Sequence, residues 1–225
     1  MTLFLYKLLL NLEDRAVRRD LSNAYDMHRT LTRAFVADDL GKPEPFLWRL
    51  ETSAADEVPF VLVQSSTEAR WGGLPKGYVL SQQERIWTPE TVLTPGRRVA
   101  FRVRANPTVN RVPQAEVAKG REGQSARGHR KRLGIWRESE QLEWMKRQAL
   151  RLGLDAVQAS VSRAERLRCR KRDAKSSFTM TLASAQFDGT AVIADPSALV
   201  TGLRSGIGHG RMLGHGLVSL APLRE

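Results

Sequence analysis

The sequence predicts an α+β protein with two successive domains, because one order of elements occurs twice along its 225 residues. Each series reads strand, helix, strand, strand, helix, strand, which is the βαββαβ pattern of a ferredoxin-like domain. Between the two series, Thr88–Arg98 contains two prolines and a glycine and is typical of a linker. We therefore expect tandem ferredoxin-like domains over residues 1–90 and 97–225.

The first series combines strand-like runs with one clear helix and one brief helical turn. Either Ser22 or Asn23 supplies a capping side chain, and the helix that follows extends to about Val36. A short charged helical turn precedes this cap. The predicted strands are short β-rich runs that cover Thr2–Asn11, Pro45–Glu51, Pro59–Ser65 and Gly77–Trp87.

The second series opens with a strand whose two faces differ in chemistry. Along Arg98–Pro107, apolar residues alternate with arginine, as expected of a strand with one buried face. The polar stretch Thr108–Gly134 follows, and we expect it to be mobile or to fold only on a ligand. Two long strand-like runs come later, and Asp188 followed by Gly189 predicts a hairpin turn inside the second run.

Two helices and a closing strand complete the second series. Arg137–Gly153 is typical of a helix that stops at a glycine. Asp195 and Pro196 are typical of an N-cap and a first helical position, and this second helix ends by Gly206. The run Gly216–Pro222 is typical of a last strand.

The charge of the chain indicates a polyanionic partner. Lysine and arginine number 36 against 24 acidic residues, which gives a net charge of +12 and a pI near 10.6. Such a surface attracts nucleic acid and gains free energy from the release of counterions. Binding to a membrane is not expected, because the sequence contains no basic helix with a clean apolar face.

The compartment is predicted from the cysteine content and the N-terminus. The single cysteine, Cys169, excludes an internal disulfide and is typical of a reducing compartment. The apolar start has no positively charged segment before it and no small-residue cleavage site after it, unlike a signal peptide. It is also too short to span a bilayer. We therefore expect a cytoplasmic protein.

The first long helix carries a group of reactive side chains opposite its core stripe. The predicted stripe, at helical spacing, consists of Met27, Leu31, Ala34 and Phe35. Tyr25, His28 and Arg29 fall on the other side, where i,i+3 and i,i+4 spacing lets them face one point. The alternative interpretation is an ordinary solvated histidine on the protein surface.

This group suits cleavage of RNA without a metal, because RNA supplies its own nucleophile, the 2′-hydroxyl. His28 can transfer protons near neutral pH, and Arg29 or Arg33 can supply positive charge for the pentavalent phosphorane. Tyr25 can hydrogen-bond the reacting oxygens or stack on a base. The expected products are a 2′,3′-cyclic phosphate and a 5′-hydroxyl, whereas DNA would bind without being cut.

A glycine-rich segment near the C-terminus is a second candidate site. It matches neither a P-loop nor a dinucleotide-binding fingerprint, but its backbone N–H groups could approach a phosphate chain closely. A flexible helix-to-strand connection is the alternative. His209 and His215 lack a third ligand at suitable spacing, so neither a metal nor another cofactor is expected. The five glycines are Gly206, Gly208, Gly210, Gly214 and Gly216.

Two basic runs, Arg97–Arg137 and Arg163–Lys175, predict a surface that binds RNA. Arginine outnumbers lysine in both runs, which suits bidentate contacts to phosphates and base edges. Solvated charged faces are the alternative. Besides the five glycines, the predicted RNA contacts are Arg29, Arg102, Arg104, Arg127, Arg130, Lys131, Arg132, Arg166, Arg168, Arg170 and Lys171.

Four motifs together resemble one known family. They are NAYDMHRTL at Asn23–Leu31, VLVQS at Val61–Ser65, RRVAFRVRANP at Arg97–Pro107 and GLRSGIGHGRMLGHGLVSLAP at Gly202–Pro222. In this order they are similar to the CasE family, the CRISPR repeat-processing endoribonucleases of type I-E systems. The resemblance implies tandem ferredoxin-like (RRM-like) domains and metal-independent cleavage at the base of a repeat hairpin. It also implies retention on the product RNA and assembly with other subunits into the Cascade surveillance complex.

The resemblance also implies roles for individual residues. The family's catalytic tyrosine and histidine fall on Tyr25 and His28, and a basic helper falls on Arg33, where other members have lysine. The region that grips the RNA stem corresponds to parts of Arg104–Arg132 and Arg163–Lys175. Two alternatives to an enzyme are a non-catalytic RNA-binding subunit and a basic structural subunit of a ribonucleoprotein.

Overall fold

Two antiparallel sheets organise the chain in the computed structural model, which describes residues 2–36, 41–52, 58–112, 114–119, 130–173 and 176–223. The strands of the first sheet are β1 (Leu3–Leu10), β2 (Phe46–Thr52), β3 (Pro59–Ser65) and β4 (Val79–Trp87). They lie in the order β2-β3-β1-β4, as a βαββαβ domain requires. Each strand overlaps a predicted run, so the four predicted strands are confirmed.

Two helices, α1 (Arg15–Ser22) and α2 (Ala24–Thr32), connect β1 to β2. The carboxylate of Asp14 caps α1, because its Oδ1 accepts hydrogen bonds from two N–H groups of the first turn at 2.7 and 3.2 Å. A 3-10 turn at Arg33–Phe35 continues α2. The second helix of the pattern is reduced to one 3-10 turn at Trp71–Gly73. Burial confirms the predicted core stripe, Met27, Leu31, Ala34 and Phe35.

The second sheet repeats the topology with longer strands. The remaining strands are β5 (Arg98–Ala105), β6 (Thr108–Arg111), β7 (Lys131–Gly134), β8 (Leu154–Asp173), β9 (Ser176–Ile193) and β10 (Val218–Pro222). The remaining helices are α3 (Gln114–Val117), α4 (Glu138–Arg151) and α5 (Pro196–Ser205). The sheet order is β10-β5-β9-β8, with α4 and α5 at the two helix positions, and this confirms the second ferredoxin-like series.

Each sheet buries one face against its own helices. In the first core, Leu8 and Val61 pack with Met27 of α2. The second core contains residues from the second sheet together with α4 and α5, and it also includes Leu3 from β1. The two cores therefore meet at the start of the chain. The alternation predicted for β5 is confirmed, because its buried side chains are Val99, Phe101, Val103 and Ala105.

The hairpin turn predicted at Asp188 and Gly189 is wrong. Both residues lie inside β9 and pair with β5 on one side and β8 on the other. Gly189 is needed for close packing, because a Cβ there would lie 2.8 Å from the ring of Phe101 and 2.3 Å from the carbonyl oxygen of Gln158. The strands β8 and β9 instead pair antiparallel to their ends, with Asp173 opposite Ser176.

The polar stretch Thr108–Gly134 contains more structure than the sequence suggests. Its two ends, β6 and β7, pair as an antiparallel ribbon in which Thr108 lies opposite Gly134, and α3 follows β6. Residues 120–129 are outside the described part of the chain. The expectation that the stretch is mobile or folds on a ligand is therefore wrong for its ends, where backbone pairing orders the chain.

Helix α5 begins and ends as predicted. The carboxylate of Asp195 accepts hydrogen bonds from the N–H groups of Ser197 and Ala198 at 2.9 and 3.0 Å, and Pro196 occupies the first helical position. The helix stops at Gly206, whose φ of 68° takes the chain out of the helical region. Local sequence signals are sufficient at both ends of this helix.

A buried arginine joins the two sheets. The side chain of Arg49 in β2 is 1% exposed, and its Nε lies 2.7 Å from Oε1 of Glu51. Its Nη1 donates to the carbonyls of Leu217 and Arg102 at 2.8 and 3.1 Å, and its Nη2 donates to the hydroxyl of Ser219 at 2.8 Å. Because these partners belong to β5, β10 and the residue before β10, one guanidinium connects the first sheet to the second.

Candidate functional site

Helix α2 lies where the two sheets meet. It contacts β8 and the 3-10 turn at Arg211–Leu213, which belongs to the glycine-rich segment. The indole Nε1 of Trp48 in β2 donates to the carbonyl of Met212 in the same turn at 3.3 Å. The predicted catalytic helix is therefore held by the first sheet, the glycine-rich segment and the long β8–β9 hairpin.

His28 is half-buried, and its ring lies against another aromatic ring. The imidazole stacks on Phe46 of β2, with ring centroids 5.1 Å apart and 22° between the planes. Phe46 in turn stacks on Phe35, with centroids 4.4 Å apart. The predicted position of His28 opposite the core is thus only partly correct, because a residue from another strand covers one face of the imidazole.

The surroundings of His28 favour its neutral form. Burial lowers the pKa of His28 from 6.5 to about 4. The buried Nδ1 atom has no hydrogen-bond partner within the described part of the protein. An imidazole that is neutral at pH 7 can accept a proton, and a phosphate brought close to it would raise its pKa.

Tyr25 contacts the second sheet, although it lies only one helical turn from His28. Its half-buried ring packs on a small cluster formed by Cys169, Leu182 and Leu213. The ammonium group of Lys171 lies 6.0 Å from the centroid of the same ring. The two predicted catalytic side chains therefore contact different parts of the molecule.

Arginines from both halves of the chain line one cleft at the start of α2. The cleft has a volume of about 660 Å³. Arg29 is exposed there and forms an ion pair with Asp26 at 3.1 Å. The charged lining residues are Arg19, Asp26, Arg29, Arg168 and Arg170. Four guanidinium groups against one carboxylate make this cleft suitable for an anion such as a phosphate.

Arg33, the predicted basic helper, lies in the 3-10 turn that follows α2 and is exposed. The backbone carbonyl of Arg33 packs closely against Gly73: a Cβ added at Gly73 would lie 2.7 Å from the Arg33 oxygen. Tyr25, His28 and Arg33 are not among the residues that line the arginine cleft in the described chain. The structure thus places the proton-transfer candidates and the arginine cleft on the same helix but not in one pocket.

Arg102 and Arg104 of β5 already have protein partners. The Nε of Arg102 lies 2.5 Å from Oδ1 of Asp188. Arg104 is half-buried, forms an ion pair with Glu165 and donates to the hydroxyl of Ser184 at 2.9 Å. A phosphate would have to compete with these carboxylates, so the two arginines are weaker candidates for RNA contacts than the sequence suggests.

The remaining basic candidates lie on β7 and β8. Along β8, Arg166, Arg168 and Arg170 share one face, whereas Cys169 faces the other way and is buried. The guanidinium of Arg166 lies 4.8 Å from the ring centroid of Trp136, whose exposed fraction is 48%. The exposed basic residues at β7 are Arg130, Lys131 and Arg132, and Arg127 lies outside the described residues.

The glycine-rich segment uses several of its N–H groups internally. Gly206, Gly214 and Gly216 donate to backbone carbonyls at 2.8, 3.3 and 2.7 Å. Gly214 also has a φ of 78° and packs on Trp48, whose ring would lie 3.0 Å from an added Cβ. The prediction that these three N–H groups bind phosphate is therefore wrong, because each already donates to a backbone carbonyl. The prediction stays open at the other two glycines.

His215 is part of the interior of the second sheet. It is fully buried, and its Nε2 lies 3.0 Å from the hydroxyl of Ser184. Burial, followed by the charge of Arg104, lowers the pKa of His215 to about 4. His209 is exposed. In the described ranges, no group of three or more His, Cys, Asp or Glu side chains is placed to hold a metal ion.

Comparison with known proteins identifies the family. A family model described as CRISPR associated protein matches residues 3–222. The chain belongs to this CRISPR-associated family. The CRISPR-associated endoribonuclease Cse3 of Thermus thermophilus is 33% identical to it over 228 residues, which cover 98% of this chain and 100% of that protein. The Cascade subunit CasE of Escherichia coli is 29% identical over 215 residues, covering 93% and 96%.

Solved structures of CRISPR-associated proteins have the same fold. Thermus thermophilus Cse3, bound to an RNA representing a pre-cleavage complex, matches with a TM-score of 0.81, 32% identity and coverage of 99% and 100%. Escherichia coli Cas6e matches with a TM-score of 0.61, 26% identity and coverage of 98% and 100%. These comparisons confirm the predicted CasE resemblance and the tandem ferredoxin-like fold of this CRISPR-associated protein.

Sequence reasoning missed residues that contribute to the site from outside the motifs. Arg19 of α1 lines the arginine cleft, and Phe46 of β2 stacks on His28. The charged pattern of α1 contained a signal for Arg19, but nothing near Phe46 in the sequence links it to the histidine. No helix in the described part of this CRISPR-associated protein is both long and apolar enough to cross a membrane.

Proposed function

We propose that this protein binds a CRISPR repeat hairpin and cleaves it through attack by the RNA's own 2′-hydroxyl. The observation that carries the proposal is a neutral, half-buried His28 on a helix that also borders an arginine-lined cleft. The similarity to the endoribonuclease Cse3 over nearly the whole chain supports the same conclusion. The relative's structure with a pre-cleavage RNA indicates the class of substrate.

His28 is the proposed proton acceptor. Because its pKa is about 4, the free enzyme carries a neutral imidazole at pH 7, which can take the proton of the 2′-hydroxyl. The 2′-oxygen then forms a bond to phosphorus as the bond between phosphorus and the 5′-oxygen breaks. The products are a 2′,3′-cyclic phosphate and a 5′-hydroxyl. A positioned base of this kind contributes about 10²- to 10⁴-fold.

The other residues of the site have complementary roles in this proposal. The 5′-oxygen has to gain a proton as it leaves, and the hydroxyl of Tyr25 is the proposed donor or hydrogen-bond partner. Arg29 and Arg33 are exposed cations on and after α2, and they supply positive charge for the phosphorane. Arg168 and Arg170 of β8 hold neighbouring phosphates in the arginine cleft.

We also propose that the cleaved RNA stays bound and that the protein assembles with other Cascade subunits. A chain of the CRISPR RNA-guided surveillance complex matches this protein with a TM-score of 0.66 and 29% identity over 98% of its length, which supports this assembly. The basic residues of β7 and β8 would hold the RNA stem. A cytoplasmic location, inferred from the single cysteine, belongs to the same proposal.

A cleavage assay with a candidate CRISPR repeat hairpin tests the proposed reaction. The wild-type protein is incubated in EDTA with the all-ribose hairpin and, as the matched control, with a hairpin carrying one 2′-deoxy nucleotide at the cleavage position. We expect the first RNA to be cut to a cyclic phosphate and the second to be bound but left whole. Cleavage that disappears in EDTA would contradict the metal-independent mechanism.

The same assay distinguishes the main alternative, a non-catalytic RNA-binding subunit. The half-burial of His28 under Phe46 is the observation that favours this alternative, because a covered imidazole has fewer directions in which to meet RNA. A tightly bound all-ribose hairpin that remains whole after long incubation with the wild-type protein would support the binding role and overturn the enzymatic one.

A further inference from the structure

Asn23 precedes α2 at its N-cap position, yet its side chain does not cap the helix. Asparagine at this position normally accepts a hydrogen bond from an N–H group of the first helical turn. Here its Nδ2 donates to the carbonyl of Arg170 at 2.9 Å, and its Oδ1 accepts from the N–H of Arg170 at 3.1 Å. The side chain therefore pairs with a strand of the other sheet.

The paired strand, β8, is at the edge of the second sheet. The N–H and carbonyl of an edge strand that point away from the sheet need partners. Asn23 provides both a donor and an acceptor to Arg170, as a residue of a neighbouring strand would. One side chain thereby extends the hydrogen-bond ladder of β8 by a single position.

The next two residues reinforce this contact. Ala24 packs against the cluster that contains the buried Cys169, and the ring of Tyr25 lies near Lys171. Three consecutive residues at the start of α2 therefore meet three consecutive residues of β8. This is a docked contact with a defined register, because a shift by one residue would separate all three pairs.

The contact also reaches the arginine cleft. The Nδ2 of Asn23 donates to Oδ2 of Asp26 at 2.7 Å, and Asp26 forms the ion pair with Arg29 at 3.1 Å. Arg168 and Arg170 of β8 line the same cleft. Asn23 thus connects the backbone that carries the β8 arginines to the helix that carries Tyr25, His28 and Arg29.

We propose that Asn23 is a positioning residue that fixes the register of α2 against the basic strand β8, so that the proton-transfer side chains and the phosphate-binding arginines act on one RNA. This inference rests on the proposed function. It predicts that Asn23 matters for the rate of cleavage more than for RNA affinity, because its amide, although it lines the arginine cleft, is already bonded to Asp26 and Arg170.

The test compares Asn23→Ser with Asn23→Ala. Serine is about as good an N-cap as asparagine but cannot pair with both groups of Arg170, whereas alanine can do neither. We expect both variants to lose roughly 10- to 100-fold in single-turnover cleavage, the scale expected for a small misplacement. Hairpin affinity should change by less than about threefold, because the four arginines of the cleft remain.

A second measurement is independent of cleavage. In the wild-type protein, the Arg170 amide is bonded to Asn23 and should be protected from hydrogen exchange. Both Asn23 variants should lose this protection. Asn11→Ser is the matched control, because Asn11 also bonds backbone groups, those of Gly77 and Glu13, without touching β8. It should keep Arg170 protected and cleavage within about twofold of wild type.

The outcomes separate the inference from the proposed function. Restoration of wild-type cleavage by Asn23→Ser would show that the residue acts as a helix cap and would overturn the inference. An unchanged Arg170 exchange rate, or an equal loss of affinity and cleavage, would also overturn it. A wild-type protein that leaves the hairpin whole while Arg170 exchange responds to both variants would overturn the proposed function and confirm only the docked contact.

Discussion

Two of the contacts that join the sheets differ in how their polar groups are satisfied. In one, Arg49 is almost completely buried, and every guanidinium nitrogen has a protein partner. In the other, α2 meets β8 beside a cleft lined by four arginines, and the buried Nδ1 of His28 lacks a partner in the described chain. A contact that only joins domains has hydrogen-bond partners for all its polar groups. A contact that also binds a ligand has charged and hydrogen-bonding groups that are still available to that ligand.

The largest expected effect is the loss of cleavage in His28→Ala. If the His28 imidazole on α2 takes part in catalysis, removing it should lower the single-turnover rate by about 10²- to 10⁴-fold. The affinity for the hairpin should stay within about threefold of wild type, because the basic residues of β7 and β8 are unchanged. Quenched-flow cleavage and filter binding with the same labelled hairpin measure the two quantities separately.

The control for this variant is Thr201→Ala, which removes an exposed hydroxyl from α5, outside the candidate sites. It should cleave within about twofold of wild type, since surface substitutions away from a site have small effects. Equal losses of rate in the two variants would mean that His28 has no catalytic role. The contact of α2 with β8 would then differ from the Arg49 contact in structure but not in function.

At the Arg49 contact, the expected effect is on stability. Arg49→Met removes the donor to Oε1 of Glu51 and to two backbone carbonyls, and breaking a buried pair in this way costs about 3–5 kcal/mol. Urea unfolding followed by circular dichroism measures the change. Lys146→Met is the matched control: its ion pair with Glu143 is exposed and should contribute about 0–1 kcal/mol. Similar midpoints for the two variants would contradict a structural role for Arg49.

The third prediction concerns the pH dependence of stability. His28 has a pKa of about 4 in the folded protein and about 6.5 when unfolded. Between these values the unfolded chain binds a proton that the folded protein does not, so the free energy of unfolding rises with pH through this window. The stabilisation is complete above about pH 6.5 and is lost as the pH falls toward 4.

His28→Gln isolates this contribution, because glutamine does not titrate. The slope of unfolding free energy against pH between 4 and 6.5 should become shallower by up to about 1.4 kcal/mol per pH unit. Urea titrations at half-unit pH steps provide the slope. An identical slope in both proteins would show that the imidazole is solvated. The Nδ1 of His28 would then not be a buried atom without a partner, as the comparison with Arg49 requires.

Much of the fold was predictable because its signals are local. The alternation along β5 and the Asp195–Pro196 start of α5 depend on residues a few positions apart, and both predictions are confirmed. The prediction of a turn at Asp188–Gly189 is wrong, because Gly189 instead makes room for the ring of Phe101 on a neighbouring strand. A dipeptide that suits a hairpin turn also suits close packing, and the sequence does not show which of the two applies.

The site was less predictable, because its environment is assembled from distant parts of the chain. The helical wheel placed His28 away from the core stripe correctly, but Phe46 comes from a different strand and covers the imidazole. Either Ser22 or Asn23 was predicted as the helix cap, whereas the Asn23 side chain pairs with Arg170, 147 positions away. Local spacing finds the reactive side chains, and only the tertiary structure shows what neutralises or positions them.

The smallest expected effect concerns the salt dependence of RNA binding, and it compares arginines with and without an ion pair among the described residues. Arg168→Gln and Arg170→Gln should each reduce the slope of log affinity against log salt by roughly 0.7 to 0.9, the loss of one phosphate contact. Arg102→Gln should change the slope much less, because Asp188 already neutralises that guanidinium at 2.5 Å. Equal slopes in all three variants would mean that pairing within the protein does not decide which arginines meet RNA. A difference confined to the β8 variants would place the phosphate backbone along the face that α2 borders.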